Sequence, residues 1–166
     1  MTETPAAELY ERDFYAWTQE QAKRLRELRR HNALDTQHLA EEIEDLGVHA
    51  RNALASHLRH VIQHLVYLTV SPADAPRQHW AGEVINHRDE IRDLLETSPS
   101  LANKIDMAKA WRRALRSANE KLAWYEEPTL PTNTVCPLTL QDVASEELGV
   151  ADLCERVRRV FEDSAD

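Results

Sequence analysis

Three of the chain's eight histidines, His57, His60 and His64, stand at relative positions 0, 3 and 7, a spacing that gathers them on one flank if the segment is helical. Neutral imidazole binds zinc, nickel, copper or iron well, and a pair three or four residues apart offers two nitrogens to one ion. All three cannot share it, because a helix rises about 10.5 Å over seven residues. A single site therefore takes His60 with His57 or His64 and needs a group from elsewhere. His87, on the inward face of a later helical segment, is the natural candidate, and Glu42, projecting to the flank of His60, is the other. A divalent transition metal is the one cofactor these residues could hold, and no motif demands it. His-x-x-His is half a site, and the two Glu-x-x-His pairs of a ferritin-like centre are missing.

Other chemistry has less to stand on. Glu41, Glu42, Glu44 and Asp45 flank Ile43, but acid-base work needs burial or a close partner to move a pKa, and all except Glu42 project away from the apolar stripe. Cys136 and Cys154 have neither CxxC nor finger spacing, so both are expected to be free thiols. No GxGxxG, P-loop, GxSxG or HExxH occurs, which leaves nucleotide binding and nucleophilic hydrolysis without a local signature.

The elements that would position these groups are helices. Apolar residues return every three to four positions through five segments. The first, about Asp13 to Arg30, places Tyr10, Phe14, Trp17, Gln21, Leu25 and Leu28 on one face and reads as a single amphipathic helix. Asp35 is an N-cap for the next, where Leu39, Ile43, Leu46, Ala50, Leu54, Leu58, Val61, Leu65 and Leu68 recur. Gly47 interrupts that run, leaving open one bent helix or two joined there. The segment ends before Pro72. A third helix carries Trp80, Val84, His87, Ile91 and Leu94. A fourth, capped at Ser98 to Ser100, carries Ala108, Trp111, Leu115, Ala118, Leu122 and Tyr125 on its inward face. Pro128, Pro131 and Pro137 then enforce an extended crossing. Thr139 with Asp142 is a capping pair for a short helix, and a last helix holds Leu153, Val157, Val160 and Phe161. Long helices with short connections favour antiparallel neighbours. The expected fold is all-α: a four-helix antiparallel bundle with an extended Pro-containing crossing and short C-terminal helices, one domain over 1–166.

A net charge of −9 disfavours a nucleic-acid partner, since phosphate backbones need a basic field. Two basic clusters, Lys23 to Arg30 and Lys109 to Lys121, read as solvated helix faces. Met1 to Glu11 lacks a basic then apolar leader, and no segment reaches the ~20 apolar residues that cross a bilayer. The expected location is the cytoplasm, away from membranes.

Several strings are nonetheless familiar in their order and spacing: Leu9-Tyr10-Glu11-Arg12-Asp13-Phe14-Tyr15-Ala16-Trp17, then Leu39-Ala40-Glu41-Glu42-Ile43-Glu44-Asp45-Leu46-Gly47, then His64-Leu65-Val66, Trp80, Ser98-Pro99-Ser100-Leu101 and Cys136-Pro137-Leu138-Thr139-Leu140. Over roughly residues 8–148 the chain resembles the bacterial family of domain of unknown function 29, with 149–166 as a helical extension. The resemblance implies a helical fold and brings no established activity. His87 stands where such proteins often carry glutamine. The functional expectation is an uncharacterised helical protein-interaction module, working as a homo-oligomer or with a protein partner. The alternative is a metal-dependent helical-bundle enzyme, and a nucleic-acid binder is least favoured.

Overall fold

A computed structural model describes residues 6–28, 34–71 and 76–162, and every regular element among them is helical. In order these are α1 (Ala6–Arg12), α2 (Phe14–Glu27), α3 (Thr36–Val70), α4 (Arg77–Thr97), a 3₁₀ turn (Pro99–Lys104), α5 (Met107–Trp124), α6 (Leu140–Ala144) and α7 (Val150–Glu162). Asp35 opens α3 as expected, accepting from the His38 backbone N–H at 3.2 Å. Thr139 and Asp142 form a complete capping box on α6.

Two boundaries differ from the periodicity. The helix expected from about Asp13 is α2, but Tyr10, counted on its face, lies on the separate α1, because Asp13 leaves helical geometry (φ −156°) to cap α2 through the Ala16 N–H. Its carboxylate also accepts from the backbone N–H and the hydroxyl of Ser100, each at 2.9 Å. The fourth long helix begins later than Ser98 to Ser100, since those residues enter the 3₁₀ turn and Asp106 caps α5 by accepting from the Lys109 N–H at 2.8 Å. At its other end α5 closes as a Schellman motif: Glu127 N–H reaches the Leu122 carbonyl and Glu126 N–H the Ala123 carbonyl. Glu126 holds φ 57° there, the left-handed region glycine occupies without steric cost. Glu126→Gly is expected to raise stability by up to about 1 kcal/mol, read as a higher melting temperature; an unchanged or lower one counts against this geometry.

The chain divides into two compact units, Met1–Leu54 with Asp93–Ile105, and Ala55–Arg92 with Asp106–Asp166. In the first, α2 buries Tyr15, Thr18 and Ala22, one position round from the face expected. Tyr10 and Leu28 are exposed, with Tyr10 packed edge-on against Trp17 at 4.9 Å. The reason lies at Gly47. Helix α3 runs unbroken through it, and a Cβ there would sit 2.4 Å from Thr18 Oγ1. The glycine marks a close helix crossing rather than a break, and such a crossing requires small inward residues on α2. The buried line of α3 is correspondingly Ala40, Gly47 and Leu54, while Leu39 and Leu46 stay exposed.

The second unit holds the larger apolar core. Leu58, Val61, Ile62, Leu65 and Val66 of α3 are fully buried, with Val84 and Ile91 of α4 and Trp111, Ala114, Leu115 and Ala118 of α5. Each large aliphatic side chain so buried contributes on the order of 1.5–3 kcal/mol. The Pro-containing crossing is tied to α5 by a reciprocal pair of 2.8 Å bonds between the Asn119 amide and the Leu130 backbone, and by Trp111 Nε1 donating to the Thr134 carbonyl at 3.1 Å. The extension beyond 148 is part of this core: Leu153 and Val157 are fully buried, and Phe161 stacks on Trp111 at 6.1 Å.

Candidate functional site

Because α3 is continuous, its 3.6-residue period carries His57, His60 and His64 up one flank, all half-buried. Helix α4 supplies His87 together with Glu83, one turn before it. The four imidazoles meet. His57 Nδ1 and His87 Nδ1 are 2.9 Å apart, the His60 and His87 rings stack at 4.8 Å and 15°, and the His64 centroid lies 6.3 Å from His60 and 6.4 Å from His87. Glu83 stands 3.6 Å from His87 Nε2. It is not among the residues the α3 spacing points to, although its place four residues before His87 on a helix is the spacing that brings two side chains together.

Hydrogen bonding assigns roles to the ring nitrogens. His64 Nδ1–H donates to the His60 carbonyl at 2.8 Å, so in the neutral ring Nε2 keeps its lone pair. The Glu83 carboxylate favours a proton on His87 Nε2, leaving His87 Nδ1 as the acceptor and His57 Nδ1–H as the donor. Arg59 reaches His60 Nε2 at 3.4 Å. Burial depresses the pKa of His60, His64 and His87; the Arg59 charge and the neighbouring rings add to this at His60, and His57 adds to it at His87. These rings are therefore neutral at physiological pH. Among the described residues, no three side chains of His, Cys, Asp or Glu are already gathered round one point as ligands.

Glu42 does not join them. It is exposed and belongs to the first unit, eighteen residues before His60 on the same helix, a rise of about 27 Å. Its neighbourhood is a different surface. Leu39, Ile43, Leu46 and Ala50 follow one another at spacings of four, three and four; Leu39 is 41% and Leu46 48% exposed, and Ile43 and Ala50 are half-buried. Cys136 and Cys154 are free thiols, and burial pushes both up. Trp124 and Tyr125 are exposed, so Tyr125 is not on the inward face of α5. Lys109, Arg112, Arg113, Arg116 and Lys121 lie on the exposed side of α5. In the other basic cluster Arg26 pairs with Glu44, and Arg29 and Arg30 fall outside the described residues. No helix among the described residues is long and apolar enough to cross a membrane.

The family model of the domain of unknown function DUF29 matches residues 9–148. The chain belongs to the DUF29 family. A DUF29 chain is thus all-helical here, in line with a solved structure it resembles, the crystal structure of an alpha-helical protein of unknown function from Rhodospirillum rubrum. The two are 27% identical, superpose with a TM-score of 0.80, and are covered to 95% of this chain and 99% of that one. Comparison with curated proteins finds no match.

Proposed function

We propose that this DUF29 protein is a protein-interaction module whose first partner is a second copy of itself, paired along the opening half of α3. The observation that carries the reading is the line Leu39, Ile43, Leu46, Ala50, whose two leucines are exposed and whose four-three-four spacing is that of a helix-pairing seam. At 100° per residue the four lie within about 60° of one another. One edge of the seam is closed by the Gly47 crossing with α2. The other edge carries Glu42 and His49, both exposed. A second α3 laid antiparallel sets Glu42 of each copy beside His49 of the other, so the surface is self-complementary, as a two-fold interface requires.

The reading takes with it the arrangement expected from the sequence: one domain over 1–166, long helices paired antiparallel, and work in the cytoplasm. The exposed cations of α5 are a solvated face within it, and no nucleic-acid or membrane partner is proposed. Light scattering on the eluting protein at ~50 μM should give twice the 19.1 kDa chain mass. Leu39→Glu with Leu46→Glu should give the monomer mass with unchanged helical circular dichroism, since both side chains are already at the surface. Glu42→Lys should weaken pairing, and adding His49→Glu should restore it. A wild-type monomer at this concentration, or a double-glutamate variant that stays dimeric, overturns the proposal.

A further inference from the structure

We propose that His57 and His87, joined by His60, hold one divalent nitrogen-preferring transition ion of the nickel or copper type. The argument starts from the Nδ1 to Nδ1 distance of 2.9 Å. Two donors bonded to one ion at ~2.1 Å stand ~3.0 Å apart at a right angle and ~3.4 Å apart at the tetrahedral angle. The pair is therefore already spaced as neighbouring corners of a square or octahedron, the geometry of nickel(II) and copper(II). Zinc would need the rings to part by ~0.5 Å.

The His87 nitrogen facing away from this point has a neighbour of the kind metal-bound histidines have. A ligating imidazole usually gives its second N–H to a carboxylate or a backbone carbonyl, which fixes the tautomer and turns the lone pair toward the ion. His87 has Glu83 on Nε2, 3.6 Å away, and Nδ1 toward His57. His64 shows the same device with the His60 carbonyl, which places it next in line on the rim of the cluster. Ligation requires His57 to give up the Nδ1 proton it shares with His87 Nδ1 and to take one on Nε2 from solvent, so both rings stay neutral, bind through Nδ1 and release no net proton. His60 supplies the third nitrogen. Its ring lies face to face with His87, so it must turn about its side-chain bonds and release Arg59, and this movement is why no three-ligand set stands assembled beforehand. The site lies wholly within the second unit and is independent of the α3 seam.

Equilibrium dialysis of chelator-stripped full-length protein against nickel(II) chloride, with copper(II) and zinc(II) in parallel, tests this by elemental analysis. One nickel or copper per chain is expected, held more tightly than zinc, together with a rise in melting temperature. His57→Ala and His87→Ala should each weaken binding at least 10-fold and abolish the thermal shift. Glu83→Gln should weaken it by about 10–100-fold, as loss of an orienting partner does. His38→Ala, exposed and in the other unit, should leave metal uptake unchanged. Should an alanine variant lose helicity, His57→Gln and His87→Gln, which keep a hydrogen-bonding side chain in place, carry the same expectation. Wild-type protein that takes up no stoichiometric ion, or uptake that survives loss of His57 and His87, overturns the inference.

Discussion

Arg88→Met is expected to lower stability by about 3–4 kcal/mol, more than any loss of a surface ion pair could. Arg88 sits in the middle of α4, is 5% exposed, and has no carboxylate hydrogen-bonded to it among the described residues. Its guanidinium instead donates Nε–H to the Val143 carbonyl at 2.8 Å and Nη2–H to the carbonyls of Ser145 and, at 2.8 Å, Leu148. Arg92, one turn on, donates to the Ala144 carbonyl at 2.9 Å. These acceptors lie at and beyond the end of α6, where a helix leaves its last carbonyls unpaired and its dipole favours a cation. Burial, and Arg92 beside it, press the Arg88 pKa down, with Asp89 opposing, yet a guanidinium stays charged in proteins. Methionine keeps most of the apolar stem but strips the Val143 and Leu148 carbonyls of their guanidinium donor and leaves Ser145 only the longer bond from Arg92, 3.3 Å. For a chain of this length the melting temperature should fall by roughly 10 °C. Arg88→Lys should fall between, because an ammonium keeps the charge without the planar fork. Amide exchange over 143–148 should quicken first. A methionine variant melting within ~2 °C of wild type would mean that water already serves these carbonyls.

The histidine cluster and the arginine clamp show which part of such a structure can be read in advance. His57, His60 and His64 belong to one helix, so their common flank follows from a period of 3.6 residues, and the inward placement of His87 follows from Trp80, Val84 and Ile91 around it. Arg88 occupies the same buried line as Val84 and Ile91, but a charged residue in an apolar helix face is ordinarily counted as the polar edge. Only its acceptors, fifty-five to sixty positions later, account for its burial. Glu83 is within reach of the same local spacing, four residues before His87 on one helix. The phase of α2 could not be read locally at all. Phe14, Trp17 and Leu25 give the stronger apolar stripe, yet Tyr15, Thr18 and Ala22 face inward, because the partner surface at Gly47 admits only a close approach. That same approach leaves Leu39 and Leu46 outside, so one glycine accounts both for the misplaced face and for the seam proposed for dimer pairing.

Gly47→Ala is accordingly expected to destabilise, against the general rule for a glycine inside a helix. Alanine is favoured over glycine there by about 1 kcal/mol on backbone grounds, and Gly82 on α4, where an added Cβ meets nothing within 4 Å, should show that gain when replaced by alanine. At Gly47 the added Cβ would stand 2.4 Å from Thr18 Oγ1, with Gln19 Nε2 at 3.0 Å and the Tyr15 ring at 3.3 Å. The glutamine can swing aside. Thr18 cannot do so cheaply: it is fully buried, branched at Cβ and held by a 2.8 Å bond from its hydroxyl to the Tyr15 carbonyl. The helices must part, loosening every contact along the crossing, at a cost of about 2–3 kcal/mol that outweighs the backbone gain. Gly47→Val should lose more, about 3–4 kcal/mol. Thr18→Ala removes the obstructing oxygen, so Gly47→Ala introduced into that background should be neutral or stabilising. The coupling between the two sites is then at least ~1 kcal/mol, measurable by denaturant unfolding of the four proteins. Additive effects would place Thr18 away from Gly47 and remove the physical reason for the orientation of α2.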